Sequence, residues 1–140
     1  MVYMMKLKND PFRKIQIKEK TVELRLYDYK RRRLDIGDEI IFTNLDNDCE
    51  ELAVRVKALY RYGSFEDLFS EISPEQCGFR KEATIEEAAS KMLKYYSEEQ
   101  IRIFSVLGIK IELIPLEDAV KHHEEIRQAE FDHWFPDGMK

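Results

Sequence analysis

Lys18-Glu19-Lys20-Thr21-Val22-Glu23-Leu24-Arg25-Leu26-Tyr27 is the stretch on which the fold turns. Val22, Leu24 and Leu26 fall on one side of an extended chain; Thr21, Glu23, Arg25 and Tyr27 fall on the other. A period of two reads as a half-buried strand with a charged face. Upstream, Tyr3, Met5 and Leu7 alternate with Met4, Lys6 and Lys8 in a first strand, and Asp10-Pro11 supplies a cap and a first-turn proline for a short helix through Ile17. Lys18-Glu19-Lys20 is then the turn into the second strand. Downstream, Asp35-Ile36-Gly37-Asp38 is a turn signal, Glu39 to Thr43 a strand and Leu45-Asp46-Asn47-Asp48 a second turn. The hairpin returns through the most periodic segment of the chain, with Leu52, Val54, Val56, Ala58, Tyr60 and Tyr62 on one side. Glu51, Arg55, Lys57 and Arg61 fall mostly on the other.

After Tyr62 the period becomes helical. Ser64 caps a short helix through about Ile72. Thr84-Ile85-Glu86-Glu87 has the form of a capping box, with Ile85, Ala88, Ala89, Met92 and Tyr96 as the apolar stripe, and Ser97-Glu98-Glu99-Gln100 repeats that start signal. Ile109, Ile111 and Leu113 mark a last strand, and a C-terminal helix follows from about Leu116 to Phe131. Hairpin-linked strands with helices inserted before the last strand specify an α+β class, a small mixed β-barrel rather than an alternating α/β sheet.

The 140 residues, 44% apolar and 36% charged, fit one domain over 1–140. No apolar run approaches the roughly 18 residues of a membrane helix, and Met1 to Lys8 is too short in its apolar part for a signal peptide. The expectation is a cytoplasmic protein without a membrane partner, read as a monomer. Cys49 and Cys77 lack metal-site spacing and read as reduced thiols. The net charge of −5 argues against a nucleic-acid partner, but it is unevenly spread. Residues 1–35 hold 11 basic against 5 acidic residues, net +6, and the remainder is net −11. Positive charge is concentrated around the opening stretch.

That stretch is also where chemistry could reside. Glu23 and Arg25 share a strand face about 6.6 Å apart, with Lys20 at the strand entrance. Such a set at a barrel mouth can bind a phosphate or a polar base and move a proton. The same pattern also fits a solvated face whose charges pair across strands for about 0.2–1 kcal/mol each. Lys30-Arg31-Arg32-Arg33 is the densest basic run; it reads either as solvated loop charge or as a track for a phosphate backbone, with Tyr27 and Tyr29 nearby for base stacking.

Lys20-x-x-Glu23-x-Arg25, followed by Arg33-Leu34-x-Ile36-Gly37-Asp38-x-Ile40-x-Phe42, resembles the ASCH domain of the PUA-like β-barrel superfamily, whose motif is G-x-K-x-x-E-x-R. The resemblance extends through Ser64-Phe65-x-x-Leu68-Phe69, Tyr95-Tyr96-Ser97 and Gly108-Ile109. It covers residues 3–115 and leaves 116–140 as a helical extension. Lys18 stands where the motif has glycine; if that position requires a positive φ, lysine is strained there by about 1 kcal/mol or more.

The resemblance implies a PUA-like barrel whose cleft, between the motif strand and the inserted helices, binds RNA or a nucleotide-like small molecule without a cofactor. Lys20, Glu23 and Arg25 are the residues it carries over, with Thr21 beside them and Lys18, Arg31, Arg32 and Arg33 supplying long-range attraction. An enzymatic branch of the family hydrolyses the acetyl amide of acetylated cytidine with a lysine matched by Lys20, a threonine at the position of Glu23, and a glutamate matched by Glu87. This implies an alternative, a hydrolase of modified nucleosides or a ribonuclease with Lys20 and Glu23 as acid–base residues and Glu87 assisting. Glu23 cannot replace a hydroxyl nucleophile, and Glu87 also fits as the closing residue of the Thr84 capping box.

His122, His123 and His133 lack metal-ligand spacing, so no metal site is read; His123 continues the Leu116, Ala119, Val120 stripe as a packed histidine. Trp134 and Phe135 read as anchors of the tail on the barrel, with an interaction surface as the alternative. P-loop, Rossmann, nucleophile-elbow and zinc-hydrolase patterns are absent.

Overall fold

The computed structural model describes residues 1–136. Five strands are present among them: β1 (Val2–Leu7), β2 (Val22–Leu26), β3 (Glu39–Asn44), β4 (Asn47–Tyr62) and β5 (Val106–Ile114). The helices are α1 (Asn9–Gln16), α2 (Phe65–Glu71), α3 (Ile85–Met92), α4 (Glu98–Phe104) and α5 (Leu116–Trp134), with 3-10 turns at Arg31–Arg33 and Pro74–Cys77. All strands form one sheet in the order β1-β3-β4-β5-β2, parallel only between β1 and β3. The sheet curls into a half-barrel, so the α+β expectation stands, including the helices before the last strand and the C-terminal helix. Residues 137–140 of the expected extension lie outside the described residues. Among those described, no helix is long and apolar enough to cross a membrane.

Three apolar clusters follow from the curl. The concave face gathers Ile40, Phe42, Val54, Val56 and Ile109, and α1 covers it with Phe12 and Ile15. On the convex side, Val22, Leu24 and Leu26 of β2 meet Phe65, Leu68 and Phe69 of α2 and Ala88, Ala89 and Met92 of α3. Gly108 on β5 permits this approach, because a Cβ there would lie 3.3 Å from Val22 Cγ1 and 3.4 Å from Leu68 Cδ1. A third, smaller cluster joins Val2, Ile41 and Ala53 to Ala119 of α5. The strand β2 is thus covered on both faces, which decides the environment of Glu23.

Three local expectations change. The alternation expected from Leu52 to Tyr62 does not hold to its end. Val56 pairs with Ile111 but Ala58 with Lys110, leaving Lys57 as an extra residue. A bulge of this kind reverses sidedness. Val54 and Val56 therefore face the barrel interior, Leu59 packs on that same cluster, and Tyr60 and Tyr62 pack on the convex cluster. The N-cap of α1 is Lys8 rather than Asp10, which sits in the first turn. There its carboxylate still complements the positive end of the helix dipole.

The tail residues also depart from expectation. From Arg127 to Pro136 every described residue is exposed, Trp134 at 74% and Phe135 at 46%, so these aromatics do not anchor the tail. The helix outruns the sheet beneath it. What fixes α5 lies earlier: His122 Nδ1 is 2.6 Å from Glu39 Oε1, and Arg55 Nη2 donates to Glu39 Oε2 at 3.0 Å. Burial alone would raise the Glu39 carboxyl, but hydrogen bonds to His122 and Arg55 hold it below the ordinary range.

Candidate functional site

The site begins where α1 stops. Ile17 caps the helix and Lys18 follows at φ +66°, the left-handed region that favours glycine. This reversal lets Lys18 N–H donate to the Ile15 carbonyl at 3.0 Å, and both Glu19 and Lys20 N–H donate to the Lys14 carbonyl, at 2.9 and 3.1 Å. Helix-terminal carbonyls are thereby satisfied as in αL-type C-caps. The chain is then seated by Thr21, whose N–H donates to the Gln76 carbonyl at 2.9 Å and whose carbonyl accepts from Ile111 N–H at 2.9 Å.

Beyond this turn lies an ion cluster built on Glu23, which pairs with Ile109 on the concave side of the sheet and is only 3% exposed. Lys20 Nζ lies 2.7 Å from Glu23 Oε1, which also accepts from Leu24 N–H at 3.2 Å. Arg25 donates to Glu23 Oε2 through Nε at 3.1 Å and Nη2 at 2.9 Å. Burial would raise the Glu23 carboxyl, yet the Lys20 ammonium and Arg25 guanidinium win and hold it below the usual carboxylate range. A carboxylate so held is a weak base and a strong counter-ion. Removing one member of a buried cluster of this kind costs on the order of 3–5 kcal/mol, because it strands an unpaired charge.

Arg25 has a second partner. Its Nη2 donates to the Lys6 carbonyl at 2.9 Å, joining β2 to β1, the two edge strands of the curled sheet. The seam between these edges opens into a cleft of about 540 Å³. Eight of the lining side chains are lysine or arginine and two are acidic, a +6 field in a chain of net charge −5. One wall is the turn after Cys77. Gly78 adopts φ +94°, its carbonyl accepts from Lys14 Nζ at 2.8 Å, and a Cβ there would lie 3.1 Å from Lys20 Cδ. Burial pushes the Cys77 thiol up to about 12, so it stays protonated and unreactive. Phe79, Tyr95 and Tyr96 bring aromatic surface to the cleft.

Of the residues singled out from sequence, Lys20, Glu23 and Arg25 meet in this cleft, whereas Lys18, Thr21 and Glu87 do not line it. Glu87 is exposed at the start of α3; its N–H donates to Thr84 Oγ1 at 3.1 Å, and its carboxylate lies 3.7 Å from Arg80. Arg31, Arg32 and Arg33 form the 3-10 turn after β2, outside the cleft wall, with Arg31 paired to Asp28 at 3.2 Å. The sequence reading missed six of the eight cleft cations, Lys6, Lys8, Lys14, Arg80, Lys91 and Lys94, and it missed Gly78. Only the αL demand on Gly78, just past a Pro-initiated turn, had a local signal.

The ASCH domain model matches residues 5–115, which includes the entire cleft wall. The chain belongs to the ASCH domain family. Hypothetical protein PH0355 is 32% identical, with a TM-score of 0.73, over 81% of this chain and 100% of that one. Protein PF0455 from Pyrococcus furiosus is likewise 32% identical, with a TM-score of 0.65, over 81% of this chain and 98% of its own. The ASCH protein from Zymomonas mobilis shares the fold at 14% identity, with a TM-score of 0.54 over 81% of this chain and 73% of that one. No protein of curated function matches. The ASCH motif positions coincide with the ion cluster, and the glycine of its first position is the site where Lys18 takes a positive φ. This PUA-like fold belongs to a family proposed to bind RNA.

Proposed function

We propose that this ASCH domain binds a nucleotide unit, free or within RNA, in the seam cleft. Lys20 and Arg25 would meet a phosphate, and the Tyr95–Tyr96 wall would meet a base. The observation that carries this reading is the buried Glu23 carboxylate, which fixes a lysine and an arginine at the cleft while eight cations surround it. A counter-ion that orients two cations preorganises an anion site, and the cleft volume lies in the ordinary range for small-ligand sites. The hydrolase alternative has less support. Glu23 is consumed by its ion pairs, and neither Thr21 nor Glu87 lines the cleft.

The test is titration with uridine monophosphate and single-stranded RNA over a range of salt concentrations. Affinity is expected to fall as salt rises, since phosphate contacts release counter-ions. Lys20→Ala is expected to weaken binding at least tenfold. Because Lys20 is paired to the buried Glu23, the exposed pair Lys91→Glu and Lys94→Glu serves as a second variant with the same expected direction. Binding that is absent or independent of salt across a broad panel of mononucleotides and RNAs overturns the reading. Turnover of acetylated cytidine by wild type but not by Lys20→Ala would instead revive the hydrolase.

A further inference from the structure

The strand that carries the cleft residues continues into a second cationic feature. Tyr27 lies on the same face of the strand line as Glu23 and Arg25, about 7 Å beyond Arg25. The Arg61 guanidinium lies over its ring, 4.4 Å from the centroid, and Arg32 lies 5.3 Å from the same centroid. Arg32 also lies 5.4 Å from the ring centroid of Tyr29, which is 78% exposed. Two elements converge here, the turn after β2 and the end of β4, and they produce an alternating stack of guanidinium and phenol.

The charges of this stack are unspent. Of the chain's ten arginines, only Arg32, Arg33, Arg61 and Arg127 have no carboxylate within ion-pair distance among the described residues. Three of these four lie in or beside the stack. In a chain with 28 acidic residues, a local excess of unpaired arginine is unlike the rest of the surface. Arg32 Nε donates to the Tyr27 carbonyl at 3.4 Å, which leaves its two Nη groups for phosphate, while an exposed ring remains available to a base. The stack follows the cleft along the chain: Arg25 lines the cleft, and Tyr27 stands two residues beyond it, just past the end of β2.

We propose that Tyr27, Tyr29, Arg32 and Arg61 form a second contact surface for single-stranded RNA, taking the nucleotides that leave the cleft along β2. This rests on the cleft reading for the nucleotide at its start. It makes the ligand a strand rather than a free nucleotide. Unpaired bases are required, because only they can be splayed onto an aromatic ring.

The experiment compares an eight-residue oligouridylate, the same strand annealed to its complement, and uridine monophosphate. Each is measured with wild type, Tyr29→Ala combined with Arg32→Ala, and Tyr29→Phe. Wild type is expected to bind the single strand at least tenfold more tightly than the monophosphate and the duplex. The double variant should lose about tenfold for the single strand while retaining its monophosphate affinity, which also reports that it is folded. Tyr29→Phe should bind as wild type, since the ring is kept. The inference is overturned if wild type does not bind the single strand, if the double variant binds it unchanged, or if duplex or polyglutamate competes equally well. If wild type binds the single strand but not the monophosphate, and the double variant weakens single-strand binding with an unchanged unfolding midpoint, the cleft reading is overturned and this surface stands.

Discussion

Lys18 occupies a backbone state that costs an L-residue about 1–2 kcal/mol, and it does so with its side chain exposed. The backbone hydrogen bonds of the turn would form equally with glycine there, and the Lys18 side chain makes no hydrogen bond or ion pair among the described residues to offset that cost. Lys18→Gly removes the strain but loosens the unfolded chain by about 0.5–1 kcal/mol, so a net stabilisation of up to about 1 kcal/mol is expected. Thermal unfolding should show this as a rise of about 2–4 °C. An unchanged or lower midpoint would mean that the turn accommodates lysine without strain. The neighbouring Glu23 shows what spacing can and cannot convey. Alternation placed Glu23, Arg25 and Tyr27 on one face, and the structure keeps them there. Alternation could not say that this face is the inner side of a half-barrel, because a solvated face and a buried ion cluster have the same period.

At the scale of elements, the site depends on a turn that contributes no charged group to it. The Pro74–Cys77 turn ends at Gly78, which receives Lys14 through its carbonyl and gives Lys20 room through its missing Cβ. Gly78→Ala is therefore expected to destabilise by about 1–2 kcal/mol through its positive φ. It should also weaken monophosphate binding several-fold by displacing the Lys20 stem. A variant that loses stability but binds as wild type would show that Lys20 tolerates the added methyl. Such a turn is difficult to read from one chain because its role lies in what it meets, and the Lys57 bulge is hidden for the same reason. From Leu52 to Tyr62 only Ala53 and Leu59 fall out of step with the alternation; the extra residue is defined only by pairing with β5. Caps fare better because they are local. Ser97 and Gln100 form the expected reciprocal box, whereas Thr84 accepts from Glu87 N–H without a returning contact from the Glu87 carboxylate.

Over the whole molecule, charge and topology act together. A chain of net charge −5 repels extended polyanions in general, yet curling brings the two edge strands together and gathers lysines and arginines from distant segments into one seam. The charge asymmetry along the sequence anticipated the cations of α1 and β2, but not Lys91 and Lys94, which α3 and the turn after it deliver. The helix α5 stands apart from this arrangement. The family match ends at residue 115, and a relative of 32% identity is spanned completely by 81% of this chain. Its contacts fall on Val2, Ile41 and Ala53 and on the Glu39 carboxylate, none of which lines the cleft. A chain of residues 1–115 is accordingly expected to bind uridine monophosphate within twofold of the full chain. It should lose on the order of 2–4 kcal/mol of stability from the uncovered apolar face. The stabilisation due to Glu39 should also change with pH. A carboxyl whose folded pKa is depressed contributes above its unfolded pKa and loses that contribution as pH falls through the folded value. Full-length protein should therefore show a steeper acid loss of stability than the shorter chain, which lacks His122. If the truncated protein folds but binds tenfold more weakly, α5 acts on the cleft through the sheet, and its separateness fails as a description of the molecule.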